Sequence, residues 1–366
     1  MTQKYVGEAD YNHQSVDSTG VLFCNLGTPE APTTGAVRRF LREFLSDPRV
    51  VEIPRLLWWL ILNLVILPFR PGKVAKAYQS IWMEGGSPLL VISQQQRELL
   101  AAELKAQTAA EIPVALGMCY GEPSIPKAMA ELRKQGVRRL LVLPAYPQYS
   151  ATTTAAVFDI VSRELHKWRW LPELRMINDY HDDPRYIEAL ANSVSHFREQ
   201  QAAPSQRLLM SFHGLPEAMH LAGDPYYCQC QATARLLAEK LGLAEGEWAI
   251  SFQSRLGKAK WLQPYTDKTL EQWGQEGIES VDVICPGFSA DCLETLEEMA
   301  MQNRDVFLEN GGKHYHYIPA LNGDDAHIHL FAGLIQQHGQ GWPKTAQDLA
   351  SLELRGQRAR ALGAPK

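Results

Sequence analysis

A histidine at the exit of an apolar run, Ser211-Phe212-His213-Gly214-Leu215-Pro216, and a later acidic stretch, Pro286 to Met299 (PGFSADCLETLEEM), are the two segments of this chain best equipped for chemistry. An imidazole titrates near neutral pH, so it can take or give a proton or hold a metal. Asp291, Glu294 and Glu298 recur at i, i+3 and i+7 and would share one face of an α-helix, with Leu293, Leu296 and Met299 on its apolar side. Carboxylates grouped beside an imidazole shift one another's protonation and suit a hard or borderline cation. Each piece also has an ordinary reading. A histidine at a strand end commonly caps or faces solvent, and acidic residues in a first helical turn favour the helix dipole. Position favours chemistry here: Gly214 and Pro216 stop the strand directly after His213. The acidic segment leaves another strand at its carboxyl end, where open parallel α/β sheets bind ligands.

A third segment, Ser251 to Thr266 (SFQSRLGKAKWLQPYT), offers Trp261 and Tyr265 to pack on a flat ligand and Arg255, Lys258 and Lys260 to meet anions; alone it is an ordinary basic loop. Tyr120 ends one apolar run, and Tyr146-Pro147-Gln148-Tyr149-Ser150 ends another. Arg70, Lys73 and Tyr78 follow a long apolar stretch. Together these groups describe an aromatic slot with cations at its rim and an imidazole and carboxylates in its depth. Such a slot suits a large flat ligand with peripheral carboxylates.

Eight short apolar runs must hold these groups: Val21 to Leu26, Val114 to Cys119, Leu140 to Leu143, Leu174 to Ile177, Leu208 to Phe212, Trp248 to Phe252, Val281 to Cys285 and Tyr315 to Ile318. They alternate with helical patterns, and continuous apolar strands between helices predict parallel sheets buried on both faces, an α/β fold. The last four runs repeat the first four. Gly136-Val137-Arg138-Arg139-Leu140 answers Gly277-Ile278-Glu279-Ser280-Val281, and Leu174 to Ile187 answers Tyr315 to Ile328, both 141 residues on. Gly27 answers Gly214 at an offset of 187, so the first half holds about 46 extra residues between Pro29 and Ile112. The reading is two similar Rossmann-like halves, each a four-stranded parallel sheet flanked by helices, at 20–200 and 201–340. A polar, partly helical tail occupies 341–366, and exchange of the halves' terminal helices is left open.

The extra residues, at about 50–90, include LLWWLILNLVILPF, Leu56 to Phe69. Its 14 residues fall short of the roughly 20 that a spanning helix needs, so it is not read as a transmembrane segment. A buried core helix is the plain alternative. An apolar insertion present in one half only is better read as a lip facing a ligand or a membrane.

The 366 residues suit two α/β domains, and a net charge of −5 offers no broad basic surface, which argues against a nucleic-acid partner. The polar N-terminus, MTQKYVGEADYNHQS, lacks the apolar run of a secretory signal. Three of the six cysteines, Cys24, Cys119 and Cys285, sit in apolar runs and read as reduced core thiols, so a cytoplasmic location is expected, loosely associated at most with the inner face of the membrane. Cys228-Gln229-Cys230 has no second ligand pair, and its members would not face the same way on a helix. His314 and His316 read as surface or packing residues. Without a G-x-G-x-x-G or P-loop after any strand, a nucleotide enzyme is disfavoured, and neither Ser211 nor Ser254 stands in a nucleophile elbow.

CNLGTPEAP, FLSDPRVVEIPR, GGSPL, YPQYSATTT, SFHGLP, FQSRLGKAKWLQPYT and PGFSADCLETLEE, in this order, make the chain resemble the ferrochelatases from about Val21 to Leu334. The resemblance implies two α/β halves around a porphyrin cleft and insertion of Fe2+ into protoporphyrin IX to give protohaem, the last step of haem synthesis. The family's invariant histidine falls on His213 and its metal-site glutamate on Glu294. Glu298 falls on a second acidic position and, with Asp291, is expected to form a relay. Leu26, Arg70, Lys73, Tyr78, Tyr120, Tyr146 and Trp261 fall on or beside porphyrin-contacting positions. Of these, Leu26 is the first-half counterpart of His213, and Arg70 and Lys73 are candidate partners for propionates. Animal members hold a [2Fe–2S] cluster with a cysteine just after YPQYS and a C-terminal cysteine group. Ala151 stands at that place and no cysteine follows Cys292, so no cofactor beyond the substrate Fe2+ is expected. The expected partners are protoporphyrin IX, Fe2+ and a peripheral membrane contact. Whether His213 is proton acceptor or metal ligand stays open. The alternatives are a chelatase for another tetrapyrrole, such as coproporphyrin or sirohydrochlorin, and a non-catalytic porphyrin or metal carrier.

Overall fold

A computed structural model describes residues 4–8, 11–108, 111–257, 259–343 and 348–364. All eight apolar runs form strands. In the first half these are β1 (Ser18–Gly27), β2 (Val114–Tyr120), β3 (Val137–Pro144) and β4 (Glu173–Met176), paired in parallel in the order β2-β1-β3-β4. In the second they are β5 (Arg207–His213), β6 (Trp248–Gln253), β7 (Ser280–Ile284) and β8 (His314–Ile318), in the matching order β6-β5-β7-β8. The central strands β1 and β5 are almost wholly buried, as expected of Val-, Leu- and Phe-rich runs covered on both faces.

The helices knit the halves together. Asp325–His338, which follows β8, packs against Pro88–Gln107 and β3 of the first half, and its Phe331 ring meets Phe23 of β1 at 5.4 Å. In return Pro184–Glu199, which follows β4, packs against Tyr226–Leu241 and β8. One buried cluster therefore joins Val21, Phe23 and Met118 with Leu208, Phe212 and Phe331. At the chain's ends, helix Leu349–Ala361 lies across the segment leading into β1, where Arg355 donates to the carbonyls of His13 and Ser15 and pairs with Asp17.

Three helices fill the extra length between β1 and β2: Thr34–Ser46, a continuous helix Arg55–Ile81, and Pro88–Gln107. The middle one corrects the sequence reading. It runs 27 residues, long and apolar enough by length and composition to cross a membrane, because a π-helical turn at Leu62–Ile66 lets Pro68 fall in the first turn of the stretch that follows. Trp58, Leu62, Leu67, Ala75 and Tyr78 pack inward, whereas Leu56, Leu64 and Phe69 are 77%, 64% and 78% exposed. One face of it packs on the first half and the other is exposed, so it is not a buried core helix.

Candidate active site

His213 closes β5 at the carboxyl edge of the second sheet. Its Nδ1 lies 2.7 Å from the Gly214 carbonyl, which can only accept, so Nδ1 carries a proton and the neutral ring keeps its lone pair on Nε2. Gly214 is required by close approach: a Cβ there would stand 2.6 Å from the Gln253 carbonyl and 3.2 Å from the Trp261 ring. The Trp261 loop is thereby laid against the turn, with the Leu262 amide donating to Leu215 at 2.9 Å and the Trp261 indole to Leu256 at 2.9 Å. Lys258 lies outside the described residues. In the first half Gly27 holds the matching turn at φ +107°, where only glycine is comfortable, and the half-buried Leu26 precedes it.

The acidic helix is not the α-helix that the spacing predicts. Glu294–Asn303 is π-helical, with i→i+5 bonding and more residues per turn, which brings Glu294 and Glu298 nearly in line. Gln253, buried at the end of β6, donates to the Glu294 carbonyl at 3.1 Å, and Asn303 donates to the Glu298 carbonyl at 2.9 Å.

Asp291 stands before this helix, which corrects the expected i, i+3, i+7 face. Its carboxylate accepts the Tyr317 hydroxyl at 2.7 Å, Thr295 at 2.9 Å and the Asn322 amide at 2.7 Å, 4% exposed in all. Those bonds fix it in place. Glu298 accepts both the amide (2.7 Å) and the hydroxyl of Ser254, a residue held at φ 65°. Burial pushes the Glu298 carboxyl above the ordinary carboxylate range, against the pull of Ser254 and His213 and with a further push from Glu294.

From the lip helix comes Tyr78, buried beside Glu294, its phenol pushed up first by burial and then by that carboxylate. Arg70 is half-buried with no hydrogen-bond or ion-pair partner among the described residues, and burial lowers its pKa. The remaining three expected wall residues all lie in the first half. Tyr120 gives its hydroxyl to Asp47 at 3.0 Å and lines, with Thr28, Glu43 and Arg163, a cavity of about 670 Å³. Tyr146 packs on the first-half core, its hydroxyl buried near Cys119 and Tyr120. Lys73 is exposed on a cavity of about 470 Å³ with Thr34, Lys76 and Gln79. Sequence reasoning missed four contributors: Gln253, Ser254, Cys292, whose thiol donates to Glu294, and Phe288, whose ring is 6.5 Å from that of His213. Their signal was only their place at the ends of β6 and β7.

Two parallel four-stranded sheets arranged in this way form a chelatase-type fold. The solved SirB from Bacillus subtilis with Fe3+ superposes at a TM-score of 0.54 with 12% identity, covering 88% of this chain and 96% of that one. The sirohydrochlorin chelatase SirB of Bacillus subtilis subspecies spizizenii in complex with cobalt gives 0.51 and 12%, covering 89% and 97%. At these identities they speak for the fold.

The chain belongs to the ferrochelatase family, lyases that insert iron into protoporphyrin in haem synthesis: the family model matches residues 18–339. Ferrochelatases of Nitrosococcus oceani and Thioalkalivibrio sulfidiphilus are 55% and 53% identical, each over 98% of this chain and over 99% and 98% of their own lengths.

Proposed function

We propose that the protein inserts Fe2+ into protoporphyrin IX to give protohaem, with His213 as acceptor of the pyrrole protons and Glu294 as the carboxylate that receives the ion. One observation carries the assignment. Both oxygens of Asp291 and of Glu298 are already bonded, whereas Glu294 Oε1 and His213 Nε2 have no partner among the described residues. An open carboxylate oxygen and an open imidazole nitrogen are what an incoming cation and a departing proton require.

A free-base porphyrin is flat, and its two N–H protons must leave as the metal enters. A cleft complementary to a saddled macrocycle exposes the nitrogen lone pairs and lowers the barrier. His213 Nε2 takes one proton at a time. Glu298, whose carboxyl has a raised affinity for protons, is the next acceptor, and its Ser254 clamp keeps it in place. Arg70, half-buried and unpaired among the described residues, is suited to a propionate. The apolar lip favours a macrocycle with few carboxylates, which supports protoporphyrin over coproporphyrin. No iron–sulfur cluster is assigned, since Ala151 stands where a ligand would be needed and no cysteine follows Cys292.

We propose further that the exposed face of Arg55–Ile81 rests in a membrane surface. The helix carries Arg55, Arg70, Lys73 and Lys76 and no carboxylate, the pattern of a helix that lies in an interface.

The test follows the absorbance of protoporphyrin and of coproporphyrin with anaerobic Fe2+ and purified protein. Protoporphyrin is expected to be metallated faster. His213→Ala and Glu294→Gln are expected to lose roughly 10²-fold or more in turnover while still binding porphyrin. Near-normal turnover in both would overturn the roles, and tight binding without insertion by the unaltered protein would make it a carrier.

A further inference from the structure

Glu294 is held in a way that the other two carboxylates are not. Asp291 is saturated by Tyr317, Thr295 and Asn322, and Glu298 by the amide and hydroxyl of one serine. Among the described residues Glu294 has one side-chain donor: the thiol of Cys292, with Sγ 3.1 Å from Oε2. Its backbone is fixed as well, through Gln253, which is itself held by the Ser211 hydroxyl at 2.8 Å.

Cys292 cannot follow a wandering carboxylate. It is 5% exposed, its amide donates to Thr295 Oγ1 at 2.9 Å, and its carbonyl accepts the Leu296 amide at 3.0 Å. Thr295 is tied in turn to Asp291. The thiol is therefore built onto the anchored foot of the π-helix, two residues before the group it touches.

We propose that Cys292 is a positioning residue for metal entry: its S–H fixes Oε2 of Glu294, so that Oε1 alone meets the incoming Fe2+. This rests on reading Glu294 as the receiving carboxylate. A carboxylate free to turn can grip a hard cation with both oxygens. An ion gripped that way is slow to pass on to the porphyrin nitrogens. A thiol is a weak donor, so it biases the carboxylate toward one-oxygen binding without blocking it.

The signature is a split between binding and turnover, measured on the full chain at saturating protoporphyrin with Fe2+ varied anaerobically. Cys292→Ala is expected to lower kcat by roughly fivefold, the worth of one modest hydrogen bond, and to lower the KM for Fe2+ with it. Porphyrin affinity, read by fluorescence quenching, stays unchanged. Cys292→Ser loses the sulfur's volume equally but keeps a donor, and is expected to recover both constants. Placed in Glu294→Gln, Cys292→Ala should cost nothing more, because the two act through one interaction. The proposal is overturned if Cys292→Ala matches the unaltered protein. It is equally overturned if Cys292→Ser falls as far as Cys292→Ala, or if the KM for Fe2+ rises while kcat holds, since those are the marks of lost packing. Normal turnover by Glu294→Gln would instead remove the reading beneath it; an inactive Glu294→Gln beside an unaffected Cys292→Ala would remove the positioning role alone.

Discussion

The Nδ1 proton of His213 is committed to the Gly214 carbonyl, so proton traffic at this residue passes through Nε2. Glu298, proposed above as the next acceptor, carries a cost for the fold. Its raised pKa means that the folded chain holds this proton more tightly than the unfolded chain does. The associated stability is present in full below the ordinary glutamate range and is lost as pH rises through the raised value. Glu298→Gln removes that loss, so calorimetry from pH 4 to neutrality should show the variant's melting temperature gaining on that of the unaltered protein as pH rises. Asp291 belongs to a different category. Asp291→Asn can keep Tyr317 and Thr295 on its remaining oxygen but sets its own amide against that of Asn322, and is expected to cost about 1–3 kcal/mol, read as a melting temperature lower by a few degrees. The residue types of the site were legible in the chain. The separation of Asp291 from Glu298 was not, because a three-and-four spacing presumes α-helical turns, and two of the three side chains that claim Asp291, Tyr317 and Asn322, stand on and after β8, far along the sequence.

Among the elements, the lip helix combines a buried stripe with an exposed one. Leu64→Glu with Val65→Glu places charges on the exposed stripe, away from Trp58, Leu62 and Leu67. The double variant is expected to lose flotation with liposomes while keeping its melting temperature and its turnover in detergent. Unchanged flotation would refute the membrane contact. The insertion and its apolar character were readable because one half had them and the other did not. The length was unreadable for a physical reason: prolines at 68 and 71 disfavour an uninterrupted helix, and the π-turn that puts Pro68 in a first turn appears only in the fold. The central strands β1, β3, β5 and β7 were plainly legible, since burial on both faces leaves a continuous apolar signature, whereas the half-exposed edge strands β4 and β8 carry a weaker one.

At the scale of the molecule, a polar seam joins the halves. Gln96, from the first half, donates to the carbonyls of Ser289 at 2.8 Å and Asn322 at 2.9 Å, and His327 lies in the same seam between Ser289 and Asn322, wholly buried. Burial lowers the His327 pKa to about 4 from an ordinary 6.5, so the unfolded chain is the better proton binder between those values. Stability is therefore present above about pH 6.5 and lost as pH falls toward 4, by on the order of 3 kcal/mol. His327→Gln should flatten that acid limb in chemical denaturation measured across the same window. Such seams escape sequence reading because each partner is an ordinary polar residue until the fold brings it to the others. The exchanged helices carry a consequence for how the protein comes to exist. A ribosome releases the first sheet long before Phe331, the ring that closes over Phe23, has been made. The nascent first half must wait with that flank uncovered, so a chain stopped near residue 200 is expected to be a client of chaperones and not a stable domain.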